Sequence, residues 1–356
     1  MPLFMDIHKV DSSTFSVKDV VKAHMEDLAV QEKFGVTQRK YWVNTDDKTI
    51  FCLMEGPSKE SCNAVHMASH GLTACNIIEV SDDEYHLFLG VGDKNEVDLA
   101  QTLSGEIDEG YRTILLINHI EFTGKYDFLI KDEIYLIKEN DGSIILQPDE
   151  DVMASFVSAS KAIQCAQSIA NLFKNNYVNY EFRIGIVTGS PVDEKGTKIF
   201  EDTKKKVKQL CLIGSNNTIY IDASTKLLSS KEDSIEKINI EDLKILETEN
   251  FEFINSIVSN VNENLTNSDF NCSKLTVALG LSKSQAYRKI KALTGIAANR
   301  LIQEIKLRYA LRALKRSSNT VAEIAYYHGF NSPTYFTRVF RKRFGLSPTS
   351  FADLFR

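Results

Sequence analysis

VALGLSKSQAYRKIKALTG, Val277–Gly295, and YYHGFNSPTYFTRVFRKRFG, Tyr326–Gly345, are two spellings of one structural word. Each leaves a short apolar helix, passes a glycine-centred turn and enters a second helix that is apolar on one face and basic on the other. That is the sequence form of a helix-turn-helix. In the first copy Leu275, Ala278 and Leu279 fall at helical spacing, Gly280 makes the turn and Ser282 is placed to cap the next helix. Ala286, Ile290 and Leu293 form an inward stripe and leave Arg288, Lys289 and Lys291 outside. In the second copy Val321, Ile324 and Ala325 lead to Gly329. Phe336, Val339, Phe340 and Phe344 then face inward, with Arg338, Arg341 and Lys342 outward.

Between the copies, Leu307, Ala310, Leu311 and Leu314 mark Asn299–Arg316 as one continuous helix. Its length of roughly 27 Å suits a strut holding two readers near the ~34 Å separation of successive major grooves. Charge agrees. From Cys272 onward the chain has 16 Lys/Arg against 3 Asp/Glu, whereas the residues before it have 26 against 45. A basic module on an acidic body points to a nucleic-acid binder carrying something that does not touch nucleic acid.

The stretch EIAYYHGFNSPTYFTRVFRKRFGLSP, Glu323–Pro348, together with SKSQAYRKIKALTG, Ser282–Gly295, resembles the AraC/XylS-type DNA-binding domain over about a quarter of the chain. The resemblance implies double-stranded DNA as partner and places base contacts on the exposed early turns of the two recognition helices. Here those positions hold Ser284, Gln285, Tyr287 and Arg288 in the first reader and Ser332, Thr334 and Arg338 in the second. Arg288 is the foremost candidate, because a guanidinium fork reads guanine O6 and N7 together. Lys283, Lys289, Tyr335 and Lys342 are candidate phosphate contacts. Pro333 stands where relatives often carry a polar residue, so the second helix is expected to read fewer bases.

At 356 residues the chain is long for one domain. Six cysteines without CxxC spacing suggest reduced thiols, MPLFMDIHKV lacks the pattern of a signal peptide, and no apolar run is long enough for a bilayer. A cytoplasmic protein with no membrane partner is expected.

In the first eighty residues, strands at Pro2–His8, Gln38–Val43, Thr49–Gly56 and Asn76–Val80 alternate with helices at Val17–Lys33 and Ser58–Ser69. This βαββαβ order predicts a ferredoxin-like sandwich. Four of the seven histidines lie here. His24 falls on the stripe of Val17, Val20, Val21 and Leu28, as a core histidine would. His66 and His70, i and i+4 on a helix, can reach one metal ion, with surface or packing roles as the competing reading. His8 shares a strand face with Asp6. His8, His66 and His70 are the candidate ligands. The fragments MPLFMDIHKV, YWVNTDDKTIFCLMEGPSKE and VHMASHGL resemble a small ferredoxin-like family with nickel-binding members. Ni²⁺ or another divalent metal is the cofactor this implies; the residues themselves demand none.

Asp83–Glu109 is acidic and loosely patterned, as a connector would be. Beyond it, Arg112–Ile120, Glu181–Gly189 and Thr218–Ala223 read as strands, Val152–Asn175 as a long helix and Ser229–Asp233 as a loop. TILLINHIE, DEDVMASFVSASKAIQCAQSIANLF, FRIGIVTGSPV and NTIYIDASTKLL resemble a class III nucleotide cyclase domain, from about Gly110 to Leu246. Cyclase chemistry needs two carboxylates on metal ions. The first falls on Asn118 or His119, the Gly-Asp-Gly turn is Asp149-Glu150-Asp151, the base-reading Lys is Leu146, and the late Asn and Arg fall on Lys205 and Gln209. That set argues against turnover. The run Lys204–Lys208, with Glu201 and Asp202 beside it, reads as a solvated helix face.

The expected architecture is multidomain: two α+β ferredoxin-like/cyclase-like sandwich domains followed by an all-α double helix-turn-helix domain. The expected parts are a metal- or ligand-sensing domain at 1–82, a connector at 83–109, a degenerate cyclase-like domain at 110–247 and an AraC-type domain at 248–356. The function implied is a non-enzymatic, homodimeric DNA-binding regulator answering a metal or small-molecule effector. The alternatives are an active cyclase with a DNA-binding tail and a metal-storage protein. Opposite charges on body and tail also suggest an inhibitory contact between them.

Overall fold

Phe4, Asp6 and His8 alternate with Met5 and Ile7 along β1 (Leu3–Lys9), so one strand serves two different cores. It is followed by α1 (Val17–Val30), β2 (Thr37–Asn44), β3 (Thr49–Glu55), α2 (Lys59–Ser69) and β4 (Asn76–Val80), in the order expected from the sequence. The strands form an antiparallel sheet ordered β2-β3-β1-β4. Ser16 and Ser58 cap the helices by accepting from the amides of Asp19 and Ser61. One sheet face packs Phe4, Tyr41, Cys52 and Met54 against Val20, Cys62 and Val65 of the helices. The other face, with Met5, Trp42, Phe51 and Ile78, joins a core that runs on into the rest of the molecule. The computed structural model describes residues 1–11, 15–122, 126–146, 151–176, 180–232, 243–316 and 318–355, without the side chains of 126–129, 146 and 176.

Residues 83–109 do more than connect. A capping box between Ser81 and Glu84 starts α3 (Asp82–Leu89), and a short hairpin pairs β5 (Asp93–Lys94) with β6 (Ala100–Gln101). The segment is pinned by the buried Arg112 guanidinium, which donates to both Asp108 carboxylate oxygens (2.8 and 2.7 Å) and to the Phe88 carbonyl (2.8 Å). Trp42 Nε1 also donates to Asp108 at 3.2 Å. The basic partner sits outside the acidic stretch, which is why the stretch alone looks like a linker.

The second sheet contains β7 (Arg112–Glu121), β8 (Ser143–Leu146), β9 (Val152–Phe156), β10 (Tyr180–Gly189), β11 (Thr218–Asp222) and β12 (Leu243–Leu246), ordered β12-β11-β10-β7-β9-β8. α4 (Tyr126–Glu139), α5 (Ala159–Asn176), α6 (Glu201–Ile213) and α7 (Ala223–Lys231) connect them. Through β10 the order is again βαββαβ. Two expectations fail here. Val152–Phe156 is a fully buried strand between β7 and β8, not the first turn of a helix; a five-residue run, apolar but for Ser155, is too short to carry a period that tells the two apart. Ser229–Lys231 closes α7 instead of opening a loop. Leu115, Ile117, Ile184 and Ile186 meet Ile163, Ala166 and Phe173 of α5 on one face. Ile114, Leu116 and Val187 meet Val207 and Leu210 of α6 on the other.

The remaining chain is helical: α8 (Thr248–Glu263), α9 (Cys272–Ala278), α10 (Lys283–Thr294), α11 (Ala298–Arg316), α12 (Val321–Tyr327), α13 (Pro333–Phe344) and α14 (Pro348–Ala352). The repeated word has a repeated backbone. Gly280 and Gly329 take φ +64° and +65° at matching turns. A Cβ on Gly329 would also lie 2.5 Å from the Leu265 carbonyl oxygen. The strut is continuous, as its apolar spacing implies. Among the described residues, no helix is long and apolar enough to cross a membrane.

This helical part is docked on the second sheet through charge. Glu304 of α11 accepts from Arg183 of β10 (3.2 Å), Arg308 of α11 (3.2 Å) and Arg343 of α13 (2.6 Å). Arg343 also grips Glu181 of β10 with two bonds of 2.7 Å. Arg308 donates to Asn118 at 2.6 Å and Arg312 to Asp151 at 3.0 Å.

Candidate functional site

The recognition helices α10 and α13 are built alike. Ser282 accepts from the Gln285 amide in a capping box, Ser332 accepts from the Tyr335 amide with Pro333 in the first turn, and glycines at positive φ close both C-termini. Ala286 and Ile290 in one, Phe336, Phe340 and Phe344 in the other, are buried. Ser284, Gln285, Tyr287, Arg288, Thr334, Arg338, Lys283, Lys289, Tyr335 and Lys342 are exposed, and Ser332 is half-buried at its cap. Several of these side chains are already engaged: the Gln285 side chain accepts from the Ser282 amide at 3.0 Å and Tyr287 Oη accepts from Lys291 at 3.4 Å. Lys289 lies over the Phe253 ring of α8 at 4.2 Å, Arg338 over Tyr335 at 5.3 Å, and Tyr335 Oη accepts from Gln303 at 3.2 Å. The acidic body does meet the basic module, with Glu181 on Arg343 and Asp151 on Arg312, and these contacts use none of the exposed residues just named.

A second cluster lies between the first sheet and its helices. Asp6 Oδ2 is 3.2 Å from His8 Nε2 and 2.9 Å from His66 Nε2. Asp6 Oδ1 accepts from the Cys52 amide at 2.9 Å. One donor atom from each of Asp6, His8, Cys52 and His66, all buried, falls within 4.8 Å of the others. On the far side of the ring, His66 Nδ1 is 3.0 Å from Asp27, whose other oxygen is 3.4 Å from His70 Nε2. Asp27, His66 and His70 form a second such group. Thus His8 and His66 converge on Asp6, whereas His70 shares Asp27 with His66 and packs against its ring at 5.5 Å. Burial works against charge on His66, but hydrogen bonds and charges from Asp27 and Asp6 outweigh it and push the imidazole up to about 10. Both carboxyls are held well below their usual range despite burial, Asp6 by His8 and His66, Asp27 chiefly by His66 and His70. Burial, with Asp6 beside it, holds the Cys52 thiol protonated.

This donor set fits a borderline divalent ion: two imidazoles, a carboxylate and a thiol suit nickel, zinc or cobalt better than a hard cation. Asp27 on Nδ1 is the outer partner that fixes ring and tautomer when Nε2 binds a metal. A cation taking Nε2 displaces a proton. Asp6, Asp27 and Cys52 were not legible as members. Asp6 carried a signal, its shared face with His8, but Cys52 is brought in by the β1–β3 register and Asp27 by the α1–α2 packing.

The cyclase-type positions hold different partners. Asn118 bonds Asp151 (2.7 Å) and Arg308, and Gln209 donates to Asn255 of α8 at 2.9 Å. His119 stands 3.3 Å from Glu133 of α4. Lys205 is exposed, and Asp149 and Glu150 lie outside the described residues. Within Lys204–Lys208, Lys206 pairs with Asp202 at 2.5 Å and Lys205 and Lys208 are exposed, but Lys204 is half-buried over Phe88, so only part of the run is the solvated face expected.

Residues 275–353 match the family described as helix-turn-helix domain, and residues 4–80 the family described as nickel responsive protein SCO4226-like. The chain is similar to histidine kinase P4 of Formosa agariphila, 34% identical over 26% of this chain and 7% of that protein. It is also similar to the HTH-type transcriptional regulator MtrA of Neisseria gonorrhoeae, 29% identical over 22% of this chain and 27% of that one. It therefore spans well under a third of either relative. The solved structure of SCO4226 from Streptomyces coelicolor A3(2) is 36% identical, covers 22% of this chain and 94% of that one, and has a TM-score of 0.21. The C-terminal helices are an AraC-type helix-turn-helix domain, and the first sheet with its helices is a SCO4226-like domain.

Proposed function

We propose that the protein is a sequence-specific transcriptional regulator. Residues 248–356 read double-stranded DNA, residues 1–82 sense a divalent transition metal, and residues 110–247 form a cyclase-like platform without turnover between them. The observation that carries the reading is the pairing of two capped, basic, exposed recognition helices with a docked back. Asn118, Asp151 and Gln209, where a cyclase would keep its chemistry, are instead bonded to Arg308, Arg312 and Asn255 of the DNA-binding part. His8 and His66, with Asp6 and Cys52, are the metal ligands. The working form is a homodimer, which suits two-reader modules on paired half-sites.

Ser284, Gln285, Tyr287, Arg288, Ser332, Thr334 and Arg338 are the base-reading candidates, and Lys283, Lys289, Tyr335 and Lys342 contact phosphate. Arg288→Ala is expected to relax specificity at one base pair by about 1–3 kcal/mol. Lys342→Ala should weaken specific and random DNA alike and reduce the log–log salt slope by roughly 0.9. Anisotropy titrations at several salt concentrations check both; equal losses on specific and random DNA for both variants would sink the division of labour.

The test of the whole reading is anisotropy of the intact protein on its own upstream DNA, with and without Ni²⁺, Co²⁺ and Zn²⁺. Salt-dependent specific binding that shifts with one metal supports both halves. Specific binding indifferent to every metal removes the sensor assignment and keeps the regulator. Absence of specific binding removes the regulator.

A further inference from the structure

The two recognition helices belong to different cores. Ala286 and Ile290 of α10 pack with Leu301 and Ile305 in the core that runs through both sheets. Phe336 and Phe340 of α13 pack with Leu307 and Leu311 in a separate one. The strut α11 contributes to both. Apolar packing alone therefore ties each reader to the strut and not to the other reader.

A polar bridge supplies the missing tie, at the C-terminal ends of both readers. Glu181 of β10 takes the Arg343 fork from the last turn of α13 through two bonds of 2.7 Å. The same carboxylate accepts from Asn216 Nδ2 at 2.7 Å, and Asn216 Oδ1 accepts from Arg183 at 3.1 and 2.9 Å. Its chain neighbour Ser215 is pinned by the Tyr220 hydroxyl, which accepts from the Ser215 amide at 2.8 Å. Ser215 Oγ in turn donates to the carbonyl of Thr294, the last residue of α10, at 3.4 Å. The second sheet thus touches both readers through neighbouring residues.

Geometry gives this bridge leverage. α10 and α13 are each 12 residues long, or roughly 18 Å. Both are held at the C-terminal end and present their first turns to a partner. A swing of about 10° at the held end moves the reading end by about 3 Å, close to the ~3.4 Å rise of one base pair. A guanidinium–carboxylate fork resists such a swing, because two parallel bonds fix an angle as well as a distance.

We infer that Glu181 is a positioning residue for DNA reading. Bridged to α13 through Arg343 and to α10 through Asn216 and Ser215, it holds the readers at one separation, so the protein accepts one spacing between its two sub-sites. This rests on the DNA-reading function proposed above, to which it adds a spacing rule.

The test uses the full chain and the double-stranded DNA that it retains from a random pool. The sub-sites are told apart as the positions where Arg288→Ala and Arg338→Ala lose discrimination. The duplex is then rebuilt with one base pair added or removed between them. Anisotropy gives the ratio of affinities for matched and shifted duplexes, and that ratio cancels any uniform change in affinity or folded fraction. The parent is expected to lose at least about tenfold on either shift, the worth of a forfeited base contact. Glu181→Gln keeps the shape without the charge, and Arg343→Lys keeps the charge without the fork. Each should shrink that loss by about threefold to tenfold, the part set by breaking a partly exposed charged pair. Arg312→Gln loosens the strut at Asp151 and touches neither reader, so it should keep the parent's ratio. The parent's ratio in Glu181→Gln overturns the inference, as does an equally relaxed ratio in Arg312→Gln. A parent indifferent to spacing, or retention of a single sub-site, overturns it too, and all four results leave the regulator standing. Retention of no sequence removes the regulator and the spacing rule with it.

Discussion

Glu304→Ala is expected to destabilise the folded chain by about 3–5 kcal/mol, the range for breaking a buried ion pair from one side. Among the described residues, Glu304 is the one carboxylate that meets all three of Arg183, Arg308 and Arg343. Without it, Arg183 and Arg308 lose their carboxylate partner among the described residues, and Arg343 keeps Glu181. The crowding is already visible: burial and the neighbouring Arg308 charge push Arg183 down to about 9, with Glu304 opposing them. By contrast, Lys161→Ala removes a pair between two well-exposed side chains and should change stability by less than about 1 kcal/mol. Urea unfolding of the two variants beside the parent chain makes the comparison. A Glu304→Ala loss no larger than that of Lys161→Ala would mean that apolar packing of α8 and α11, and not charge, holds the DNA-binding helices to the sheet.

The same residue sets an acid limit. Burial alone would raise the Glu304 carboxyl, but the Arg343 hydrogen bond and the charges of Arg308, Arg343 and Arg183 hold it at about 2, against an ordinary 4.5. A depressed carboxyl stabilises the fold above its unfolded-state value and loses that contribution as pH falls toward the folded one. The stability gap between the parent and Glu304→Gln should therefore be full above about pH 4.5 and close progressively toward pH 2.

The contrast between legible and illegible parts follows sequence separation. The double helix-turn-helix could be read because everything that makes it is local: a cap, a turn glycine, an apolar stripe and a basic face, all within twenty residues and written twice. The βαββαβ order of the first domain was equally local. What could not be read were partnerships closed by the fold. Asp108 meets Arg112 and Trp42 only after the supposed connector folds back, and Glu181 meets Arg343 across 162 positions. The strand at Val152–Phe156 was misread for a different reason: wholly buried apolar runs have no polar face from which to take a period.

The metal cluster gives the sharpest separation of two geometries that sequence spacing alone would merge. If the ion sits among Asp6, His8, Cys52 and His66, His8→Ala and His66→Ala should each abolish Ni²⁺ binding by the intact chain at micromolar concentrations. Asp27→Asn should then cost roughly 10–100-fold in affinity, as loss of an outer partner to a ligating imidazole does, and His70→Ala should change affinity little, since His70 meets Asp27 and the His66 ring but none of Asp6, His8 and Cys52 in that donor group. If the ion sits instead among Asp27, His66 and His70, the ranking inverts: His70→Ala becomes as damaging as His66→Ala and His8→Ala becomes silent. Calorimetric titration of the four variants decides between them, with His66 as the common control because its two nitrogens face the two groups. The first ranking is expected for a physical reason. Asp6, His8, Cys52 and His66 are all buried and include a thiol, whereas the second group has only three members and a half-buried His70 at its edge. An ion taken from water must exchange its shell for protein donors, and the site offering four of them is the better exchange.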